Sequence, residues 1–368
     1  MSNPLLATSS VYRILIISPN WVGDAAMASV VVQGLIKKYA KADQCNVQID
    51  ILTPITCEAV WQHIAGIHQV FVHGLKHSKL YVREILEWGR RFRGCYDHAV
   101  ILPNSFKSAL IPWLANIPLR TGYVGEFRYG LLNDWHHLDK EKLPKWVDRC
   151  YALVSSKQIE GVSIEKNIEQ PLVAPRLIAN HAIQKMLIEK FFLTDALSNG
   201  HFIVAICPGA EFGSAKQWPL HHWQTLARSF IKKQYTVWVM GGPKEVEIGN
   251  TLVETVPGVL SFCGLTTLGE AIDLLAFAHL VVANDSGLLH IAAALGRATI
   301  GLYGSTPSEY APPIARWEGQ TKVMEVNLEC RPCKQRECPL GHKKCLELIE
   351  PSQVEWVGMR MLERVSNH

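Results

Sequence analysis

The sequence predicts an α/β protein built from two doubly wound, Rossmann-like halves. Three observations carry that prediction: the chain length, a repeated strand–loop–helix rhythm, and a break in that rhythm near the middle. At 368 residues the chain is long for a single hydrophobic core, so two domains are expected. Apolar runs without polar alternation mark strands buried on both faces, and each is followed by a helix-period segment, as in parallel sheets covered by helices.

In the first half, residues 12–18 ("YRILIIS") read as a buried strand, and "AMASVVVQGLIKKY" (26–39) as an amphipathic helix. Strands follow at "NVQIDILT", "HQVFVHG" and "YDHAVILPNS", with helices at "CEAVWQHI" and "KLYVREILEWGRRFR" between them. The rhythm fails from about residue 130 to 200, where "EQPLVAP" (169–175) carries two prolines and reads as the linker. It restarts with strands at "HFIVAICPGA", "YTVWVMGGP", "VLSFCGLTT", "LVVANDSG" and "ATIGLYGST", separated by four helical segments. A last helix is expected after Pro351. The expected domains are 1–172, 173–350 and a terminal helix, 351–368, packing back on the first domain. Two such halves make a cleft, with ligands at the carboxyl ends of the strands.

Composition narrows the function classes. Hydrophobic residues make up 48% and charged residues 19%, the balance of an ordinary folded chain. The net charge of +4 suits an anionic ligand or membrane surface as well as plain solvation. No dense Lys/Arg block supports nucleic-acid binding. "MSNPLLATSS" lacks the features of a secretory signal, and no apolar run reaches the roughly 18 residues of a spanning helix, so a cytoplasmic protein is expected. The ten cysteines are then expected to stay as thiols.

The chemistry gathers at the strand ends. In "NDSGLLH" (284–290), Gly287 permits close backbone approach, and the free N–H groups at the start of the following helix favour an anion such as a diphosphate. Asp285 is ill placed against phosphate and better suited to sugar hydroxyls, with His290 one turn on; helix capping by Asp285 or Ser286 is the alternative. "CPGAEFGSAKQWP" (207–219) adds Gly209, Ser214 and Lys216, the lysine being a mobile cation for a departing phosphate. Gly242 in "GGP" and the hydroxyls of "GST" (304–306) end two further strands. There is no G-x-G-x-x-G, P-loop or D-x-D, so a diphosphate site without nicotinamide or bridging metal is expected, and no cofactor. In the first half, Asp24 in "SPNWVGDAAMAS" reads either as a helix N-cap or as a carboxylate facing the bound ligand.

Five ordered blocks, "SPNWVGDAAMASVVVQGLIKKY", "LPNSFKSALIPWLANIPLRTGYVGEFRYGLLND", "CPGAEFGSAKQWP", "NDSGLLHIAAALG" and "CRPCKQRECPLGHKKCLELIEPSQV", resemble the ADP-heptose:lipopolysaccharide heptosyltransferases over residues 12–358. Within that family the second transferase fits better than the first. The first carries adjacent threonines ahead of its lysine, where this chain has Glu211-Phe212-Gly213-Ser214. The resemblance implies a GT-B glycosyltransferase fold, an ADP-heptose donor on the second half and a lipopolysaccharide core acceptor on the first. It implies an inverting, metal-independent transfer, with Asp24 as base, Lys216 on the phosphate, Asp285 on the sugar, and Ser286, Gly287 and Leu288 as the diphosphate-binding turn with His290 nearby. An anionic glycolipid acceptor also implies cations, for which Lys107, Arg120 and Arg128 are candidates, and peripheral contact with the cytoplasmic face of the inner membrane. The first or a later core heptosyltransferase, a transferase of another nucleotide sugar, a GT-B-fold nucleotide-sugar epimerase and a non-catalytic sugar-nucleotide-binding module remain the rival readings.

Cys330, Cys333, Cys338 and Cys345, with His342, follow C-x2-C-x4-C-x6-C. A zinc site is conceivable from the residue types, but the spacing is not a paired-knuckle pattern and the prolines at 332 and 339 suit a compact loop. The expectation is no metal there.

Overall fold

A computed structural model of the chain describes residues 11–40, 46–75, 81–155 and 174–365. The amino-terminal decapeptide read for a signal, Lys79-Leu80 and residues 169–173 of the expected linker lie outside them. The chain divides into two compact units, Met1–Val173 and Ala174–His368.

The first unit holds a six-stranded parallel sheet: β1 (Val11–Ile17), β2 (Asn46–Pro54), β3 (Gln69–His73), β4 (His98–Ile101), β5 (Leu119–Tyr123) and β6 (Asp134–His136), in the order β3-β2-β1-β4-β5-β6. The second holds β7 (Ile203–Cys207), β8 (Thr236–Val239), β9 (Val259–Ser261), β10 (Leu280–Asn284), β11 (Ala298–Tyr303) and β12 (Thr321–Glu325), in the order β12-β11-β10-β7-β8-β9. Read from β9, the second order is the first one repeated. Both are the doubly wound 3-2-1-4-5-6 arrangement, in which strand order reverses between the first and fourth strands.

The central strands are the β-branched runs seen in the sequence; β7, β10 and β11 are buried along their whole length. Leu15, Ile17 and Ile101 pack with Ile85 and Phe92 in the first unit. Val204, Val282 and Ile300 pack with Trp223 and Phe230 in the second.

Two expectations are revised. The strands β5, β6 and β12 were not read from the sequence, because they are short, carry polar residues and are in part exposed edges. The terminal helix, Pro351–Val365, buries Val354, Met361 and Leu362 in the second unit's core, beside Phe230, Leu280 and Ile300, where the sequence reading had placed it on the first domain. Each large apolar side chain so buried contributes roughly 1.5–3 kcal/mol relative to exposure, which fixes the helix on this unit.

Candidate active site

In the second unit the strand order reverses between β7 and β10, so the loops leaving those strands diverge and open a crevice at their carboxyl ends. Asn284, fully buried at the end of β10, ties the loops together. Its Nδ2 donates to Pro208 O at 2.6 Å and its Oδ1 accepts the Trp218 N–H at 3.1 Å.

That framing brings Lys216 and Asp285 into contact. Lys216 Nζ donates to Asp285 Oδ2 at 2.6 Å, with side-chain exposures of 13% and 10%. Thr306 Oγ1, from the loop after β11, donates to the same oxygen at 2.5 Å. Lys216 Nζ also lies 5.0 Å from the centre of the Phe212 ring. His290 Nε2 stands 4.0 Å from Asp285 Oδ1. Burial lowers the His290 pKa to about 4, the nearby carboxylate opposing only in part, so the ring is neutral near pH 7. The cation available to an anionic ligand here is therefore Lys216 rather than His290.

The helix Gly287–Ala294 begins at the same place. Ser286 occupies its N-cap position but makes no side-chain capping hydrogen bond, and Ser286, Gly287 and Leu288 are half-buried. Capping is thus not what Asp285 and Ser286 do here. Their loop presents first-turn N–H groups and the positive end of the helix dipole. Gly209 and Gly242 meet through Glu245: its Oε2 accepts the Gly242 N–H at 2.8 Å, and a Cβ on Gly209 would lie 2.7 Å from its Cδ. Ser214 opens the short turn that carries Lys216.

In the first unit, Asp24 is the third residue of the helix Val22–Met27, whose N-cap is Trp21. The N-cap alternative is thereby corrected. Asp24 is half-buried, its carbonyl accepts the Trp146 indole N–H at 3.3 Å, and its charge reinforces the burial that pushes the Cys57 thiol up to about 11. Lys107 lies in the turn Phe106–Ala109 beyond β4, half-buried and close enough to His73 to disfavour its protonation.

The two arginines do not fit the acceptor role. Arg120 sits near the amino end of β5 and donates to Leu131 O at 2.7 Å and Ile117 O at 2.6 Å. Arg128 is fully buried and donates to Tyr123 O, to Pro103 O at 2.8 Å and to Ser108 Oγ at 3.2 Å. It braces the loop that carries Lys107.

Three buried histidines make stability pH-dependent. Burial lowers His73, His98 and His290 from 6.5 to about 4. Between those values the unfolded chain binds more protons than the folded one, so stability falls as pH falls. Tm is expected to drop steadily from about pH 7 to pH 5, and less steeply in His98→Asn. A Tm that is flat or rising over that interval contradicts this.

Residues 85–344 match glycosyltransferase family 9 (heptosyltransferase). The chain belongs to that family. It is 35% identical to the lipopolysaccharide heptosyltransferase 2 of Salmonella typhimurium over 348 residues, 93% of this chain and 96% of the relative. It is 39% identical to the lipooligosaccharide heptosyltransferase 2 of Haemophilus influenzae over 308 residues, 82% of this chain and 86% of the relative. A solved E. coli structure, described as ADP-heptose lps heptosyltransferase II, superposes with a TM-score of 0.80 at 33% identity, covering 96% of this chain and 99% of that one. This family 9 chain is therefore a glycosyltransferase with two Rossmann-like domains of the GT-B type, as its sequence blocks implied.

Sequence reasoning read the "GST" hydroxyls, Thr306 among them, as part of the site without their partner, and missed Asn284, Phe212 and Glu245. Those three lay within or beside a quoted loop, but a lone amide, aromatic or carboxylate gives no signal until the loops are assembled.

Proposed function

We propose that this heptosyltransferase moves heptose from ADP-L-glycero-D-manno-heptose to the heptose of the lipopolysaccharide inner core, with inversion, as heptosyltransferase II. The observation that carries the donor half is the Lys216–Asp285–Thr306 cluster beside an uncapped helix start at the β7/β10 reversal. The resemblance to proteins named heptosyltransferase 2 supports the acceptor half.

In this reading the diphosphate lies on the N–H groups of Ser286, Gly287 and Leu288, and Lys216 turns to the phosphate oxygen that leaves. A neutral His290 beside Asp285 leaves the carboxylate as the acceptor for a sugar hydroxyl. The acceptor oxygen bonds to the anomeric carbon as the bond from that carbon to the diphosphate oxygen breaks. The electron pair of the broken bond leaves with ADP, where Lys216 and the helix dipole stabilise it. The proton of the attacking hydroxyl passes to Asp24. Charge neutralisation by Lys216 and the helix start makes a diphosphate-bridging metal unnecessary. The +4 net charge favours peripheral binding at the anionic cytoplasmic face of the inner membrane, where this acceptor is presented.

Lys107 remains the acceptor-side cation. Lys107→Ala is expected to raise the acceptor KM several-fold with little change in the ADP-heptose KM; no change in either constant removes Lys107 from the acceptor site. The assignment to the second step is tested with two acceptors, Kdo-lipid A with and without its first heptose. Transfer only to the heptosylated acceptor supports it, and transfer to the unheptosylated one makes the enzyme a first-step transferase.

A further inference from the structure

We propose that Cys330, Cys333, Cys338 and Cys345 bind one zinc ion that clamps the segment behind the donor loops. This goes against the expectation of no metal drawn from the cysteine spacing and the two prolines, and three structural observations support it. First, between β12 and the helix Lys344–Glu347 the chain runs through residues 326–343 with no α-helix or strand. Irregular segments of this length in a compact unit need something to hold them. Second, Cys330, Cys333 and Cys338 of that loop and Cys345 of the helix after it line one cavity of about 20 Å³ together with Arg331, His342 and Ser305. That volume suits a single ion and not a cluster or an organic ligand. Third, the turn that follows Cys338 is closed by the Gly341 N–H donating to Cys338 O at 3.0 Å, with Gly341 at φ +69°, so Cys338 enters the cavity wall from a tight, hydrogen-bonded turn.

The ligand set is four sulfurs. His342 Nδ1 accepts the Lys344 N–H at 3.0 Å, which commits that ring to starting the next helix. A four-thiolate site for one ion selects zinc. No three of the sulfurs lie within 4.8 Å of one another, so binding draws them together. His221, His222 and Glu347 are that close, but there His222 Nε2 is 3.0 Å from Glu347 O, and the pair reads as a latch between helices.

The same segment is bonded to the loops of the donor site. Arg331 donates to Gly304 O at 2.6 Å and Thr306 O at 3.1 Å, and the Lys334 N–H to Ser305 O at 2.8 Å. Arg336 O accepts the Ala215 N–H at 3.0 Å, and its guanidinium lies 5.3 Å from the Phe212 ring centre. A Cβ on Gly213 would overlap Arg336 O, so the loop bearing Lys216 rests directly on this backbone. The ion would thus hold Thr306 and Lys216 in register; this role rests on the donor-site reading above, whereas the metal site does not.

The experiment is metal analysis of the full chain, purified without chelator from zinc-supplemented cells. About one zinc per chain is expected in the wild type and in Cys95→Ser, and well under half in Cys333→Ser and Cys345→Ser. To separate metal loss from unfolding of those variants, wild-type apoprotein is also titrated with Co(II), which should give the thiolate charge-transfer absorption of a tetrahedral site. Less than about a tenth of an ion per chain with no such absorption overturns the site, as does full zinc retention in both variants. Iron at that stoichiometry overturns the choice of ion. ADP binding is then compared with and without zinc: roughly three- to tenfold weaker binding on removal, restored by zinc, supports the clamp. Zinc-independent ADP binding overturns the clamp alone, and no ADP binding by the zinc-loaded chain overturns the donor-site reading instead.

Discussion

Asp24→Asn is expected to lower turnover by at least ~10²-fold while leaving ADP-heptose affinity and Tm close to wild type. The substitution keeps the side chain's size and removes its negative charge and with it its ability to take a proton. Asp24 stands at the third position of its helix, where a negative charge interacts with the helix dipole by about 0.3–1 kcal/mol, so the loss in stability should be small. A purely structural Asp24 gives the reverse pattern: near-normal turnover in Asp24→Asn, with a lowered Tm in Asp24→Ala. Turnover and Tm of both variants separate the two, and near-wild-type turnover in Asp24→Asn ends the base assignment.

Lys216→Ala is expected to weaken donor binding and to lower turnover about 10²–10³-fold, equivalent to about 2.7–4 kcal/mol of charge stabilisation. Turnover should suffer more than binding, because the diphosphate gains charge as the bond breaks. The ion pair with Asp285 complicates the single variant, since removing the lysine strips a buried carboxylate of one partner. Thr306 still donates to that carboxylate, and the double variant Lys216→Ala/Asp285→Asn removes the uncompensated charge. Turnover should remain low in the double variant even where Tm recovers. Recovery of turnover along with Tm would show that Lys216 serves the fold and not the leaving group.

The central strands were legible because burial on both faces leaves an uninterrupted β-branched run, as in "VVAN" before Asp285. β5 was not. Its sequence, "LRTGY", includes an arginine whose place near the sheet is secured by carbonyls at 117 and 131. Arg128 misled for a related reason. A charged residue in a loop reads as solvent-facing, and only the convergence of oxygens from Pro103, Ser108 and Tyr123 makes its burial possible. At the donor site, residue types were readable and pairings were not. Lys216 and Asp285 were assigned to different parts of the ligand, yet they bond to each other across 69 positions of sequence. The terminal helix shows the same limit, since its apolar stripe identifies a buried face without naming the core that receives it.

The most direct test of the account is ADP release from ADP-heptose, measured with and without heptosyl-Kdo-lipid A, alongside the masses of the products. The account predicts fast ADP release only when the acceptor is present, with one heptose added per acceptor and the unused donor unchanged. Isomerised nucleotide sugar formed without acceptor would make the protein an epimerase. Tight ADP-heptose binding with no turnover on either core acceptor would make it a binding module, and either result would contradict the account.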